Sequence, residues 1–337
     1  MNDTWRMTLL PLMFVISLAV LISCSVEKEK VTEQQIHVAV PDFNADSAYF
    51  FVEKQVGFGP RIPNSNPHRE AGDYLVSQFK KYGATVIEQE FEALTFDNQK
   101  LQLRNIISSF HPAATKRILL AAHWDTRPFA DKDIHNKDAL FDGANDGASG
   151  VGVLLEIARS LSQAEDPPEV GVDIILFDGE DWGEQEGYQG IISTPRGLDS
   201  WWCLGSQYWS VNKHRKNYSA SYGILLDMVG ARRTQFFREG VSMEYAPKIV
   251  EKVWSMANQI GFSDYFVNQN VPAITDDHVY VNQLARIPMI DIVQYKAGIG
   301  FFGEYHHTQK DNMSIISKET LKAVGATLLH VIYYEQP

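Results

Sequence analysis

The chain predicts an α/β fold, a three-layer αβα sandwich around a central mixed, mostly parallel sheet. Two observations lead there. Four runs are apolar at consecutive positions instead of alternating: "RILLAAH" (117–123), "VDIILFD" (172–178), "YGILLD" (222–227) and "IPMIDIV" (287–293). Strands of that kind are covered on both faces. Amphipathic helical patterns lie between or beside them, and strand–helix alternation puts helices on both sides of a sheet.

The elements follow in order. Residues 1–23 read as a leader: Arg6 supplies a positive start, and "MTLLPLMFVISLAVLIS" is apolar but short and holds Pro11. Leu21-Ile22-Ser23 before Cys24 resembles a bacterial lipoprotein cleavage box. The resemblance implies a lipid on Cys24, attachment to a membrane through it, and a cell-envelope protein facing the periplasm. An ordinary signal peptide or a short anchor is the alternative. Residues 24–44 form a charged tether, and 45–337 read as one domain with no linker, repeat or low-complexity tract inside it.

Within that domain, "HREAGDYLVSQFKKYG" predicts a helix closed at Gly83, and "ASGVGVLLEIARSLS" a helix after the first strand. "YAPKIVEKVWSMANQIG" predicts another, ending at Gly261. "SKETLKAVGATLLHVIYYE" starts at Ser317, with Thr320 where a capping box would carry an acid.

At 45% hydrophobic, 337 residues hold ample material for a core. The net charge of −12 comes with no cluster of Lys and Arg, which argues against a nucleic-acid partner. Cys24 and Cys203 are the two cysteines. With Cys24 lipidated, Cys203 has no intrachain partner. In the apolar "WWCLGSQYW" it reads as a buried small hydrophobe, not a nucleophile.

The polar residues at the strand ends carry the chemistry. His123 and Asp125 follow the first strand; Asp178, Glu180 and Asp181 close the second; Asp227 closes the third; Asp291 sits inside the fourth. In open α/β sheets ligands bind beyond the carboxyl ends of the strands, so these side chains converge there. Carboxylates brought together need a cation or shared protons. Arg and Lys are sparse near these strand ends, and histidines among acids point to zinc over calcium or magnesium. Asp146, in "FDGANDGASGVG", is a further donor or a plain helix N-cap. In "EYHHTQKDN", His306 or His307 could close the shell.

These motifs resemble the zinc aminopeptidase superfamily and, within it, the glutaminyl cyclases (glutaminyl-peptide cyclotransferases). They are His-x-Asp at 123–125, Gly-Ala-x-Asp at 143–146, Asp-Gly-Glu-acid at 178–181, Leu-Asp-x-x-Gly at 226–230 and His-Thr at 307–308. The aminopeptidase resemblance implies two metals on His123, Asp146, Asp181, Asp227 and His307, with Asp146 bridging and Glu180 activating water. The cyclase resemblance implies one zinc per chain on Asp146, Asp181 and His307, with Glu180, Asp227 and Asp276 catalytic. All five candidate ligands are present, so their presence does not decide.

Asp276, in "ITDDHVYV", favours the cyclases, because the aminopeptidases resemble Ser-Asp-His there. The implied substrates are peptides or exported proteins with N-terminal glutamine, closed to pyroglutamate with loss of ammonia. A non-catalytic binding protein is a third reading. The chain departs from mammalian cyclases at Asp181 (Glu there), His306 (Trp), Asp291 (His) and Thr275 (Gln). Pocket-wall candidates are Trp182, Trp202, Phe302 and His306, with Trp201 and Phe301 behind them; at most two of the tryptophans and phenylalanines line the pocket.

Overall fold

The structure is a computed structural model that describes residues 39–185, 188–190 and 193–337. The leader, Cys24 and all but the last residues of the tether lie outside the described residues. Among the described residues, nine strands form one sheet: β1 (Thr85–Leu94), β2 (Lys100–Phe110), β3 (Arg117–His123), β4 (Gly171–Phe177), β5 (Tyr222–Asp227), β6 (Gln235–Arg238), β7 (Phe266–Asn270), β8 (Met289–Lys296) and β9 (Gly300–Phe301). Their order is β1-β2-β4-β3-β5-β8-β6-β7, with β9 beside β8. The four central strands β4, β3, β5 and β8 are parallel and are the four apolar runs of the sequence. The β1–β2 hairpin joins β4 antiparallel, which makes the sheet mixed.

The helices are α1 (Ala45–Val56), α2 (Asn66–Lys81), α3 (Ala148–Gln163), α4 (Leu204–Val211), α5 (Gly240–Tyr245), α6 (Pro247–Gln259), α7 (Asp277–Tyr280) and α8 (Lys318–Tyr333). Gly83 and Gly261 have φ of 79° and 92° just past α2 and α6, as helix-ending glycines require. Ser317 Oγ accepts the Thr320 N–H and caps α8.

The strands divide their side chains between two cores. Ile118, Leu120 and Ala122 pack with α1, α2, α3, α6 and α8 on one face. Leu119 and Ala121 point the other way, toward Trp209 of α4 and Val281. That two-faced burial is the reason these strands read as continuous apolar runs.

Register positions the site. Ala121 pairs with Leu225, so two residues further on His123 and Asp227 end side by side. From β3 the chain goes to β4 on one side, and from β5 to β8 on the other. The crevice between β3 and β5 is therefore where strand order reverses, the place where such sheets bind ligands.

Candidate metal centre

Glu180, Asp181 and Asp146 are each placed by a hydrogen bond from their own backbone N–H. The turn after β4 is held from two sides. Asp125 Oδ1 accepts the Glu180 N–H and its Oδ2 the Asp181 N–H, both at 3.1 Å. Asp178 turns away from the crevice, toward His68 Nε2 at 2.9 Å and the Arg104 N–H at 2.6 Å. Asp146 is held by its own N–H, which Asp311 Oδ2 accepts at 3.0 Å, while Asp311 Oδ1 takes the Asn145 N–H at 2.7 Å. Asp146 is no helix cap: α3 has no side-chain cap. Gly147, at φ 81°, lets the loop pass so close that an added Cβ would lie 2.9 Å from the Asp125 carbonyl oxygen and 3.0 Å from the His123 ring.

Two groups of donors meet on opposite oxygens of Asp146. On the first side, His307 Nε2 lies 3.0 Å from Asp181 Oδ1 and 3.6 Å from Asp146 Oδ2. On the second, His123 Nε2 lies 3.1 Å from Asp146 Oδ1 and 3.3 Å from Asp227 Oδ1. All of these residues are buried. Yet Asp146 Oδ2, Asp181 Oδ1, Asp227 Oδ1 and both His123 ring nitrogens lack hydrogen-bond partners among the described residues.

Atoms this close, without hydrogen-bond alignment, aim their lone pairs at a shared point. A tetrahedral zinc with bonds of roughly 2.0–2.1 Å sets its ligand atoms about 3.3 Å apart. The second group matches that spacing, the two His307 distances fall on either side of it, and His306 stands close enough to Asp146 and His307 to share an ion with them; nitrogen plus carboxylate donors suit zinc. Beyond the donors, Asp131 Oδ1 lies 3.3 Å from His307 Nδ1, the usual outer carboxylate of a ligand histidine.

The remaining acids stack below. Asp276 and Glu180 present atoms within 4.8 Å of one another and of Cys203. Asp276 is also grouped with His278 and Asp291. Burial, then the charges of Asp181, Asp276 and Asp277, push Glu180 well above the carboxylate range, against the pull of His123. Burial first, with Asp276 and Asp146 adding, raises Asp227 to about 7 although His123 opposes it. Burial lifts Asp146 too, but His123, with His306 and His307 behind it, wins and holds it below the usual range. These groups share protons unless a cation joins them.

Above the donors opens a cavity of about 420 Å³. Its walls include Trp202, Phe302 and His306, with Thr275, Lys132 and Glu184 around them. Trp202 is stacked on His307, planes 3° apart and centroids 6.0 Å apart. His306 lies 3.6 Å from His307 and 4.5 Å from Phe302, ring to ring.

Of the residues singled out from sequence, Asp146, Asp181, Asp227, Glu180, Asp276, His306 and His307 all face this cavity. Trp182 does not line it; it packs among Phe91, Phe96 and Leu101, and its indole N–H reaches Asp97. Trp201 lies in that cluster as well, and Phe301 sits against Tyr295.

The expected scarcity of cations is also corrected, since two buried arginines stand here. Arg61 donates to the carbonyls of Trp124, Asp142 and Gly143. Arg127 grips both oxygens of Asp131, bonds the Asp181 and Gly183 carbonyls, and lies 4.6 Å over Trp202. Neither removes the need for a cation: Arg61 is spent on carbonyls, and the Arg127 guanidinium comes no nearer than 3.8 Å to the Asp181 carboxylate, which accepts the Arg127 backbone N–H at 3.1 Å. Asp125 lies 3.5 Å from His123 Nδ1, and its aligned hydrogen bonds go to the 180–181 turn.

The sheet and the histidine–carboxylate cluster at its crevice define a protein of the zinc exopeptidase class. The chain belongs to Peptidase family M28, whose profile matches residues 105–332. It is similar to the glutaminyl cyclase of Bacteroides thetaiotaomicron, with 49% identity and a TM-score of 0.84 over 88% of this chain and 100% of that one. It is equally similar to a Zn-dependent exopeptidase from Parabacteroides distasonis, with 51% identity and a TM-score of 0.83 over 88% and 100% of the two chains. Among curated relatives, the glutaminyl-peptide cyclotransferase of Bos taurus is 24% identical over 247 residues, which span 66% of this chain and 64% of that protein.

Proposed function

We propose that the chain is a zinc-dependent glutaminyl-peptide cyclotransferase that closes N-terminal glutamine to pyroglutamate and releases ammonia, with one zinc held by Asp146, Asp181 and His307. The observation that carries this reading is the place of Asp276. It is buried, it comes within 4.8 Å of Glu180, and its Oδ2 has no hydrogen-bond partner among the described residues. Hydrolysis by water needs one base. Cyclisation moves a proton from the α-amine to the departing amide nitrogen, and a buried chain of acids suits that transfer.

A bound zinc supplies Lewis acidity, polarising the γ-carbonyl of the glutamine. The protein's own residues do the rest. Glu180 takes the proton of the attacking α-amine and delivers it to the nitrogen that leaves as ammonia. Asp276 and Asp227 share the proton load, so Glu180 need not carry a full charge among like neighbours. Trp202, Phe302 and His306 wall the cavity and exclude water that would otherwise compete. His123 Nε2, 3.1 Å from Asp146 Oδ1 and 3.3 Å from Asp227 Oδ1, offsets the charge of both. Substrates are peptides or exported proteins bearing N-terminal glutamine, reached from a lipid anchor at Cys24 in the periplasm.

A di-zinc aminopeptidase is the second reading, favoured by the His123–Asp146–Asp227 group and by the likeness to a Zn-dependent exopeptidase. One assay separates the two. Incubate a glutamine-initiated peptide with the purified protein and follow products by mass spectrometry. The cyclase releases ammonia and leaves a peptide of unchanged residue count. Release of free N-terminal residues without pyroglutamate overturns the reading.

A further inference from the structure

We infer that Cys203 is a positioning residue for Glu180: its thiol holds one carboxylate oxygen in place and leaves the other to the cavity. The inference rests on the cyclase reading, in which Glu180 carries the proton. Cys203 Sγ lies 3.2 Å from Glu180 Oε1. Among the described residues, this thiol is the one side-chain donor hydrogen-bonded to that carboxylate. Around Glu180 stand His123, which attracts its charge without a hydrogen bond, and Asp181, Asp276 and Asp277, which repel it. A carboxylate among like charges, with no donor of its own, would swing away from them.

The backbone makes the same connection independently. The Cys203 N–H donates to the Glu180 carbonyl at 2.9 Å, and the Leu204 N–H to the Gly179 carbonyl at 3.1 Å. Cys203 itself sits in the left-handed region, φ 58° and ψ 38°, a conformation disfavoured for any residue but glycine or asparagine. Its carbonyl is fixed in turn by Ser206 Oγ and the Gln207 N–H, both at 3.1 Å. Strain of this kind persists where the surroundings over-determine it, often beside a reacting group. A glycine would relieve the strain but would carry no donor.

The thiol stays protonated. Burial, then the charges of Glu180, Asp277 and Asp276, push it well above its ordinary range. It is therefore a donor and not a nucleophile. It touches Glu180 and does not line the cavity, so it acts through the carboxylate.

The test uses the full chain, loaded with zinc. Cys203→Ala should lower kcat about tenfold, the loss of one modest hydrogen bond to a charged group, with KM and zinc content within twofold of wild type. Cys203→Ser, which keeps a donor, should restore kcat to within about threefold, as expected for one hydrogen bond replaced by another. The S–H infrared stretch gives a second readout that needs no turnover. Subtracting the Cys203→Ser spectrum isolates the Cys203 band, since any contribution of Cys24 cancels. That band should move to higher frequency in Glu180→Ala, as the thiol loses its acceptor.

Should Cys203→Ala fail to fold, the infrared comparison and the serine variant decide. Wild-type kcat in Cys203→Ala, or a band unmoved by Glu180→Ala, overturns the inference. Glu180→Gln keeps the two ideas apart. If it is inactive while Cys203→Ala runs at the full rate, only the positioning role fails; if it is active, the proton-carrying role of Glu180 fails first.

Discussion

The Lys132 ammonium stands 2.8 Å from Nδ1 of His306. An ammonium only donates, so Nδ1 accepts, and the neutral ring keeps its proton on Nε2. That nitrogen points toward Asp146 Oδ2, 3.7 Å away, with no free lone pair to offer a metal. His307 is arranged the opposite way, with Asp131 at its Nδ1 and Nε2 directed at Asp181 and Asp146. The pair, equivalent by spacing, is divided by its neighbours.

Substituting each histidine should reveal that division. His307→Ala should lose bound zinc and all turnover. His306→Ala should keep its zinc and raise KM several-fold, because it removes a cavity wall and not a ligand. Metal analysis after gel filtration checks both. Loss of zinc from His306→Ala alone would exchange the roles.

Glu180→Gln should retain zinc and lower kcat by roughly 10²–10⁴-fold, the usual weight of a general acid–base group. The amide cannot carry the proton, and the atoms of Asp146, Asp181 and His307 are untouched. Single-turnover cyclisation with metal-loaded protein measures it. Turnover near that of wild type would remove Glu180 from the proton path.

Asp125→Asn should destabilise the fold by about 1–3 kcal/mol and reduce activity. Both Asp125 oxygens accept N–H groups from the 180–181 turn, and an asparagine turns one acceptor into a donor facing a donor. Urea unfolding gives the first quantity and cyclisation the second. An unchanged midpoint would show that the turn holds without the pair.

Acid should weaken the segment that carries Asp276. Glu239 accepts the N–H groups of Val241, Ser242 and Ile274 and faces His278 Nε2 at 3.1 Å. Burial raises its pKa, but His278 and these N–H groups outweigh burial and bring it down to about 2. The folded value is below the unfolded one, so the contribution is full above the unfolded pKa near ~4.3 and is lost as pH falls toward 2. Glu239→Gln should therefore be less stable than wild type at pH ~7, with the gap narrowing by pH ~3. Parallel unfolding curves at the two pH values would contradict this.

The strands that bear the site were legible because their burial on both faces leaves an unbroken apolar run, as in Arg117–His123. Asp125, Asp181 and Asp227 were legible because each follows such a run, whereas Asp146 stands in a glycine-rich loop and Asp276 in "ITDDHVYV". The edge hairpin was not. The strand Thr85–Leu94 is half exposed and rich in Glu, although Leu101 and Leu103, alternating with polar residues in its partner, carry a strand signal. The supports were the least legible. Asp311 holds the Asp146 loop from 165 residues away, and Arg61 reaches three carbonyls from another loop. No local pattern announces a side chain whose partners are backbone groups brought near only by the fold. Trp182 shows the converse: beside a metal-binding candidate in sequence, it turns into a separate apolar cluster.

Zinc bound per chain, in wild type and in His123→Ala after dialysis against a weak chelator, tests the account most directly. His123 stands between Asp146 and Asp227, where a second metal would sit in an aminopeptidase. The one-zinc cyclase predicts one equivalent in both proteins, with glutamine-peptide cyclisation and stability moderately reduced in the variant. Two equivalents in wild type, one in the variant, and peptide hydrolysis lost with the second metal would contradict it.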